Sequence, residues 1–281
     1  KEFFWPTYAP VTEPEDAVAH LEKCYLGTLS MADHWFGIFI DTLKKNGMYE
    51  DTLILFTTDH GHMLGEHGYT GKNFMHAYQE LVHIPLMMHL PGGGYAGRRI
   101  TELTQNIDLM PTILEFHRCP APDRVKGRSL FTVLEGKMEP RKQVLYGWFG
   151  RAVNVCDGNY TYFRAPVRED NQPLYQYCAM PSTCWRYFDE RYAEHMEMGR
   201  FLSYTRYPVY RIPILSSDDY SGDIHYVSES LLFDIRMDYE QKNPIHDADI
   251  EAEMIKKLTE GMKEAQAPEE QYIRLGLKIP K

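Results

Sequence analysis

The sequence has no apolar run approaching twenty residues, so we expect no transmembrane helix and no membrane partner. It also lacks a basic excess, because 30 Lys and Arg residues stand against 40 Asp and Glu residues, for a formal net charge of -10. Nucleic-acid binding normally needs a basic face, and this balance argues against nucleic acid as a partner. An anionic substrate would have to be held by local cations.

Cysteine is scarce, and internal repeats and low-complexity tracts are absent. An odd number of scattered cysteines fits a reduced compartment slightly better than a disulfide framework, which slightly favours the cytoplasm. The first residues, K-E-F-F-W-P-T-Y-A-P, have neither a methionine start nor the pattern of a signal peptide, and we expect a piece of a longer protein. The five cysteines are Cys24, Cys119, Cys156, Cys178 and Cys184.

A long amphipathic helix is predicted before residue 47. Apolar residues from Val18 to Leu43 recur mostly three or four apart, which is the spacing of one helix face. Thr12 and Glu15 have capping-box spacing at its start, and Gly47 supplies a stop. We expect this helix to cover one face of a sheet.

Residues 53–56 are a short apolar run without polar alternation, which predicts a strand buried on both faces. Asp59, His60 and Gly61 follow. Ligands of open α/β sheets gather beyond the carboxyl ends of the strands. Both Asp59 and His60 can reach one metal ion only if the chain bends after them, and Gly61 permits a bend. A carboxylate and an imidazole suit Mg, Mn, Ca or Zn.

A glycine-rich loop follows these residues and ends in Lys72, before a second apolar strand at residues 84–90. A lysine so placed can lay its ammonium against an anion that the metal holds. The Asp-His-Gly triplet alone is weak, because such triplets also serve ordinary turns. The order of strand, acid and imidazole, loop, lysine and strand strengthens the metal-site interpretation.

That order resembles the sulfatase family of the alkaline-phosphatase-like superfamily. Residues 59–72, D-H-G-H-M-L-G-E-H-G-Y-T-G-K, match its Asp-His/Asn-Gly and Leu-Gly-Asp/Glu-His-Gly motifs with a lysine shortly after. Residues 83–92, H-I-P-L-M-M-H-L-P-G, match its Val/Ile-Pro-Leu strand closing on Pro-Gly. Its next helix, its Gly-x-Ser-Leu turn and its Leu-Tyr/Phe-Asp-Leu strand are matched by residues 106–114, 125–130 and 229–244.

The resemblance implies that Asp59 and His60 bind one divalent cation, with calcium favoured over magnesium and manganese, and that Lys72 contacts the sulfate. His67 would contribute to catalysis or would stabilise the loop by hydrogen bonding, and both interpretations stay open. In the family the nucleophile is a formylglycine made from Cys or Ser, and it precedes the long helix. It is therefore expected in an N-terminal half that this chain lacks, and the chain alone is expected to be inactive.

The fold class implied is α/β: the C-terminal part of an alkaline-phosphatase-like sandwich, a mostly parallel sheet with flanking helices, plus a small antiparallel α+β subdomain. We expect residues 1–139 to belong to the catalytic domain and residues 140–281 to form the subdomain. Strands are predicted at residues 143–149, 152–156, 160–164 and 231–235, and a helix at 249–265. An insert at about 166–228 is rich in Tyr and Arg, which suits a sugar-binding wall or plain packing equally.

Three functions are kept open. The first is a sulfuric ester hydrolase, the second a phosphonate or phosphate ester hydrolase of the same superfamily, and the third a non-catalytic carbohydrate-binding or scaffold piece. The expected partners are an anionic ester, for example a sulfated sugar, and the N-terminal half of the catalytic domain. A homo-oligomer is left open.

Overall fold

The computed structural model describes residues 10–72, 75–182, 187–215 and 229–280. Cys184 and parts of the Tyr/Arg-rich insert lie outside these ranges. The chain divides into two compact units, Lys1–Ala121 with Gly127–Pro140 and Pro122–Lys126 with Arg141–Lys281. No helix within the described ranges combines the length and the apolar character that crossing a bilayer requires.

The first unit combines helices with short strands, in agreement with the α/β class. Two-residue and four-residue strands form two separate antiparallel pairs. In chain order its elements are α1 (Glu15–Lys45), β1 (Ile54–Thr57), β2 (Met63–Leu64), β3 (Thr70–Gly71), α2 (Gln79–Val82), β4 (Leu86–His89), α3 (Leu109–Phe116) and α4 (Leu130–Leu134).

Helix α1 confirms the long helix that the sequence predicts. It ends where Gly47 adopts a φ of 65° and the Met48 amide donates to the carbonyl of Leu43 at 2.9 Å. The predicted capping box is wrong, because Pro14 occupies the N-cap position and no side chain caps the helix. Negative charge in the first turn, from Glu15 and Asp16, favours the helix start instead.

Most large apolar side chains of α1 are exposed, and only Leu21 and Leu43 are buried. The ring of Phe36 lies 4.9 Å from the ring of Phe56 in β1, so α1 does touch this strand. Its remaining apolar surface is open, in contrast to the expected covering of a sheet face. The exposed large apolar side chains of α1 are Leu26, Leu29, Met31, Trp35, Ile38 and Phe39.

Strand β1 pairs with β4 in antiparallel register, with Ile54 opposite His89 and Thr57 opposite Leu86. The prediction of a strand buried on both faces is wrong, because every residue of β1 is only half-buried. The physical reason is that β1 has a single strand partner among the described residues, which leaves its other edge open. All strand pairs in the described ranges are antiparallel, so the expected parallel pairs are not among them.

The Gly-x-Ser-Leu turn is built around the buried carboxylate of Asp108. Its two oxygens accept from the amides of Arg128 and Gln105, at 2.7 and 2.8 Å. Ser129 then caps α4 by accepting from the amide of Phe131 at 3.3 Å. These bonds tie the start of α4 to the turn before α3.

Replacing Ser129 by alanine should lower the free energy of unfolding by about 1 kcal/mol, because α4 loses its N-cap acceptor. Urea unfolding followed by circular dichroism measures this change. Ser129→Thr is the matched control, since threonine keeps the hydroxyl and should retain most of the stability. Equal losses in the two variants would show that the cap contributes nothing.

The elements of the second unit are β5 (Val144–Gly147), β6 (Val153–Cys156), β7 (Tyr160–Arg164), β8 (Tyr175–Cys178), β9 (Glu197–Gly199), β10 (Val209–Pro213), β11 (Leu231–Asp234), α5 (Ala248–Glu264) and α6 (Glu269–Arg274). Its strands form a four-stranded antiparallel sheet in the order β11-β7-β6-β5 and a three-stranded one in the order β8-β10-β9. The strands and the helix that the sequence predicts at 143–164, 231–235 and 249–265 are confirmed, with ends shifted by one or two residues.

Helix α5 packs its apolar side on the four-stranded sheet and forms the core of this unit. Met254 and Leu258 of α5 are buried against Val155 of β6 and Tyr162 of β7. At the edge of the core, Lys257 donates to Asp157 at 2.7 Å, beside the turn between β6 and β7. The small antiparallel part of the predicted fold is therefore confirmed.

Candidate active site

Asp59 and His60 lie just beyond the end of β1, where the sequence places them. The Nε2 atom of His60 lies 3.4 Å from an Asp59 carboxylate oxygen. The Asp59 side chain is 83% exposed and that of His60 31%, so the carboxylate faces solvent while the imidazole is held against the protein.

Lys72 joins these two side chains from the far end of the loop. Strands β2 and β3 form a small hairpin, with Met63 opposite Gly71, which returns the chain towards β1. The Nζ atom of Lys72 then lies 2.5 Å from Nε2 of His60. The structure thus brings together the carboxylate, the imidazole and the ammonium that the sequence singles out.

The hydrogen bonds of His60 define which ring nitrogen carries the proton. Nδ1 lies 2.7 Å from the carbonyl oxygen of Gly61. A carbonyl oxygen only accepts, so Nδ1 is the donor, and Nε2 of the neutral ring presents a lone pair. Lys72 donates to that lone pair. A ring oriented through its other nitrogen by a backbone carbonyl is how metal-binding histidines are usually supported.

The pKa values of Asp59 and His62 are both shifted by their surroundings in this cluster. Partial desolvation raises the pKa of Asp59, but its backbone hydrogen bonds and the neighbouring His60 and Lys72 side chains outweigh this, and the net pKa is lowered. Burial lowers the pKa of His62, and His60 and Lys72 lower it further. The two shifts favour an ionised Asp59 carboxylate and a neutral His62 imidazole.

Gly61 is needed for a reason that the sequence does not show. Its φ is not positive, so the chain after His60 does not use the left-handed conformation that glycine favours. Instead, a Cβ at this position would lie 1.8 Å from the carbonyl oxygen of Glu80. The Gly61 amide also donates to the carbonyl of Leu81 at 2.8 Å. The close approach of the backbone of α2 thus requires glycine directly after the candidate ligands.

His67 is held by the same short helix. Its ring stacks on Tyr78, with centroids 3.6 Å apart and planes 2° apart, and its Nε2 lies 3.8 Å from a Glu80 carboxylate oxygen. The side chain is 9% exposed, and no contact joins it to Asp59, His60 or Lys72 within the described residues. This geometry agrees with the loop-stabilising interpretation of His67. No sequence motif singles out Tyr78 or Glu80, because their contact with His67 depends on how the loop folds back.

The phenol of Tyr78 provides a pH-dependent test of this packing. Burial, aided by Tyr69 and Glu80, raises its pKa to about 12. The folded state therefore favours the neutral phenol, and that stabilisation is present below pH 10 and is lost as the pH rises through 12. We expect Tyr78→Phe to keep the stack, to cost about 1 kcal/mol at pH 7, and to lose less stability than the unsubstituted protein between pH 10 and 12.

Urea unfolding at pH 7, 10 and 11.5 measures this difference. Tyr207→Phe is the control, because Tyr207 is 77% exposed and its removal should leave the pH dependence unchanged. A pH dependence of Tyr78→Phe identical to that of the unsubstituted protein would contradict a buried phenol against His67.

The donor set fits a divalent cation in its chemistry. An ionised carboxylate and an imidazole lone pair stand side by side, and Lys72 already occupies the lone pair. Within the ranges that the structure describes, no three His, Cys, Asp or Glu residues converge in a way that would hold a metal ion. Asp59 and His60 are thus two candidate ligands of an incomplete shell.

Comparison with known proteins gives two overlapping family matches. Residues 5–117 match the model "Sulfatase", and residues 65–207 match the model "N-sulphoglucosamine sulphohydrolase, C-terminal". The second model alone covers half of the chain. Both matched ranges include the loop from Gly65 to Lys72.

Individual relatives agree with these matches. The chain is 36% identical over 113 residues to N-acetylglucosamine-6-O-sulfatase of Bacteroides thetaiotaomicron, which is 40% of this chain and 20% of that protein. A solved protein in complex with its substrate D-glucosamine-2-N,6-O-disulfate has a TM-score of 0.60 at 21% identity, covering 87% of this chain and 41% of that chain.

A third similarity is to the phosphonate monoester hydrolase of Agrobacterium radiobacter, with a TM-score of 0.56 at 20% identity, over 86% of this chain and 40% of that chain. These structural likenesses show a shared fold. In each comparison the chain spans less than half the length of the protein that it matches.

Proposed function

The chain belongs to the sulfatase family, and we propose that it is part of a metal-dependent sulfuric ester hydrolase in which Asp59 and His60 bind the cation and Lys72 binds the anion. One observation carries this proposal: Nε2 of His60 lies beside both the carboxylate of Asp59 and the ammonium of Lys72. A ligand pair and an anion-binding cation at the end of one strand is the arrangement that the chemistry needs.

Each residue has a distinct task in this proposal. The cation, when bound, neutralises the oxygens of the ester. Asp59 supplies an ionised carboxylate because its pKa is lowered, and His60 supplies Nε2 because the Gly61 carbonyl holds the proton on Nδ1. Lys72 would exchange its contact with His60 for a sulfate oxygen. His67, stacked on Tyr78, would keep the loop that carries Lys72 in place.

Calcium is the proposed cation because the family resemblance implies it, with magnesium or manganese as alternatives; one carboxylate and one imidazole do not by themselves select among these ions. The family generally uses a metal ion and a formylglycine, and the resemblance implies that the nucleophile belongs to a part of the protein outside this chain. The exposed apolar side chains of α1 and the edge of β1 that no described strand pairs with support a further part of the catalytic domain that covers them. The chain alone is then inactive.

The proposed substrate is a sulfated sugar. The N-acetylglucosamine sulfatase and the protein solved with a glucosamine disulfate support this class. The test is a panel of sulfated glucosamines, aryl sulfates and phosphonate monoesters offered to the complete protein with Ca²⁺, Mg²⁺ or Mn²⁺. Preferential release of sulfate from a sugar is expected, and cleavage of none of the sulfate esters would overturn the proposal.

A phosphonate or phosphate ester hydrolase is the second candidate, favoured by the fold shared with the phosphonate monoester hydrolase. It would use the same three side chains, because both substrates are tetrahedral anions. The same panel separates the two functions: faster cleavage of phosphonate than of sulfate esters would select the second. A carbohydrate-binding or scaffold role would give no cleavage with either class.

Replacing Asp59 by asparagine should weaken binding of the divalent cation to the complete protein by about tenfold or more, because an amide oxygen replaces an ionised ligand. Calorimetric titration of the metal-free protein with Ca²⁺ measures the affinity. Asp123→Asn is the control, an exposed acid at which no change is expected. Unchanged affinity in Asp59→Asn would remove Asp59 from the metal shell.

A further inference from the structure

The loop between β9 and β10 carries a group of side chains for which the proposed site has no use. Strand β9 ends at Gly199, paired with Val209 at the start of β10, and residues 200–208 connect them. We call residues 200–208 the hairpin loop. Four of its side chains are exposed and have no ion pair, side-chain hydrogen bond or ring contact in the part of the chain that the structure describes: Arg200, Tyr204, Arg206 and Tyr207.

The base of the hairpin loop is firmly packed by another arginine. The guanidinium of Arg211 lies 4.3 Å from the ring of Phe201 and 5.0 Å from the ring of Tyr175, and it donates to Glu197 at 2.7 Å. The charge of Arg211 is thus neutralised and its faces are covered. Arg211 and Tyr175 are thus residues of the Tyr/Arg-rich insert whose contacts serve packing.

The neighbouring strand strengthens the same base. The Tyr177 hydroxyl donates to the carboxylate of Glu270 in α6, and its ring lies 6.3 Å from that of Phe201. Phe201 is therefore anchored to the sheet through two different side chains, Arg211 and Tyr177. The first residues of the hairpin loop are therefore held in place against the sheet.

The tip of the loop is ordered by its own turn. The amide of Thr205 donates to the carbonyl of Leu202, and the amide of Tyr207 donates to the Thr205 hydroxyl, both at 3.3 Å. Tyr204 and Tyr207, 46% and 77% exposed, flank this turn together with Arg206. Binding would therefore cost little ordering of the backbone.

The chemistry of these four side chains selects a partner. An exposed tyrosine ring stacks on the C–H face of a sugar, and a guanidinium binds a tetrahedral anion through two parallel N–H groups. Arg200 and Arg206 have no acidic partner among the described residues, so they add local positive charge on a protein whose formal net charge is -10. That overall charge disfavours long polyanions such as nucleic acid, whereas a short ligand with few charges is tolerated.

We propose that the hairpin loop binds a sulfated oligosaccharide, with sugar rings on Tyr204 and Tyr207 and sulfate groups on Arg200 and Arg206. The ligand class rests on the proposed function. The surface itself lies within one unit and needs no catalysis, so binding is measurable on the 281-residue chain. Binding to this surface uses none of Asp59, His60 and Lys72.

The test is calorimetric titration of the 281-residue chain with a sulfated glucosamine–uronic acid tetrasaccharide and with the same tetrasaccharide after chemical desulfation. Sulfated sugar should bind, and desulfation should weaken binding by about tenfold or more. Arg206→Gln and Tyr207→Ala should each weaken binding of the sulfated ligand about tenfold, since the first removes a charge-assisted contact to a sulfate group and the second removes a ring that packs on the sugar.

Two exposed residues of the same unit serve as controls: Tyr187→Ala and Arg124→Gln should leave the affinity within about twofold. Equal affinity for the desulfated sugar, equal loss in the control variants, or tighter binding of a single-stranded oligonucleotide would overturn the proposal. Ester cleavage by the complete protein is measured separately with a monosaccharide sulfate. Loss of that cleavage in Lys72→Ala, with tetrasaccharide binding kept, would show that the two sites act independently.

Discussion

Replacing Lys72 by alanine is expected to lower the rate of sulfate ester cleavage by the complete protein about a thousandfold. Lys72 supplies the only side-chain ammonium found within contact of His60 among the described residues. Charge that develops on the sulfate oxygens in the transition state would then lack a fixed donor. Single-turnover and steady-state rates of sulfate release measure the effect.

The loss should fall mainly on kcat, because the ammonium stabilises the transition state more than the bound substrate. Lys137→Ala is the matched control, a 70% exposed lysine paired with Glu135, and its rate should be unchanged. Lys72→Arg should recover part of the activity, since it restores the charge with a different shape. Less than a tenfold loss in Lys72→Ala would remove this residue from the anion site.

Replacing Gly61 by alanine should cost roughly 3 kcal/mol of folding stability and nearly all activity of the complete protein. The added methyl would lie 1.8 Å from the Glu80 carbonyl oxygen and 3.1 Å from the Leu81 Cα. Both atoms belong to backbone, which cannot rotate away as a side chain can. Either the strand end that carries Asp59 and His60 or the start of α2 must move.

Gly37→Ala is the matched control for Gly61→Ala. Gly37 lies inside α1 with nothing within 4 Å of its added Cβ, so alanine there should stabilise the chain by about 0.5–1 kcal/mol. Urea unfolding should therefore show a lower free energy of unfolding for Gly61→Ala and a higher one for Gly37→Ala. Gly61→Ala with the stability and Ca²⁺ affinity of the unsubstituted protein would contradict the close approach of α2 to the candidate ligands.

Much of the fold follows from local sequence rules. The apolar spacing of α1 and its stop at Gly47 are local properties of the chain, and so is the turn between β6 and β7. The boundaries of these elements were therefore predictable to within one or two residues. The motif order from Asp59 to Lys72 also singled out three candidate site residues, Asp59, His60 and Lys72, whose side chains the structure brings together.

Other features depend on contacts that sequence periodicity does not encode. The half-burial of β1 reflects its single strand partner, while its apolar sequence suits a strand covered on both sides. Gly61 is required because the backbone of Glu80, nineteen positions later, packs directly against it. The stack of Tyr78 on His67 likewise depends on how the chain folds back. The predicted capping box is absent because the N-cap position is Pro14, two residues after Thr12.

The position of the bound cation is the most direct test of the site. Anomalous diffraction from crystals of the complete protein grown with Mn²⁺ would locate it. We expect one peak bonded to both the Asp59 carboxylate and His60 Nε2, with Lys72 turned from the imidazole towards a bound anion. A peak bonded to neither Asp59 nor His60 would contradict the assignment.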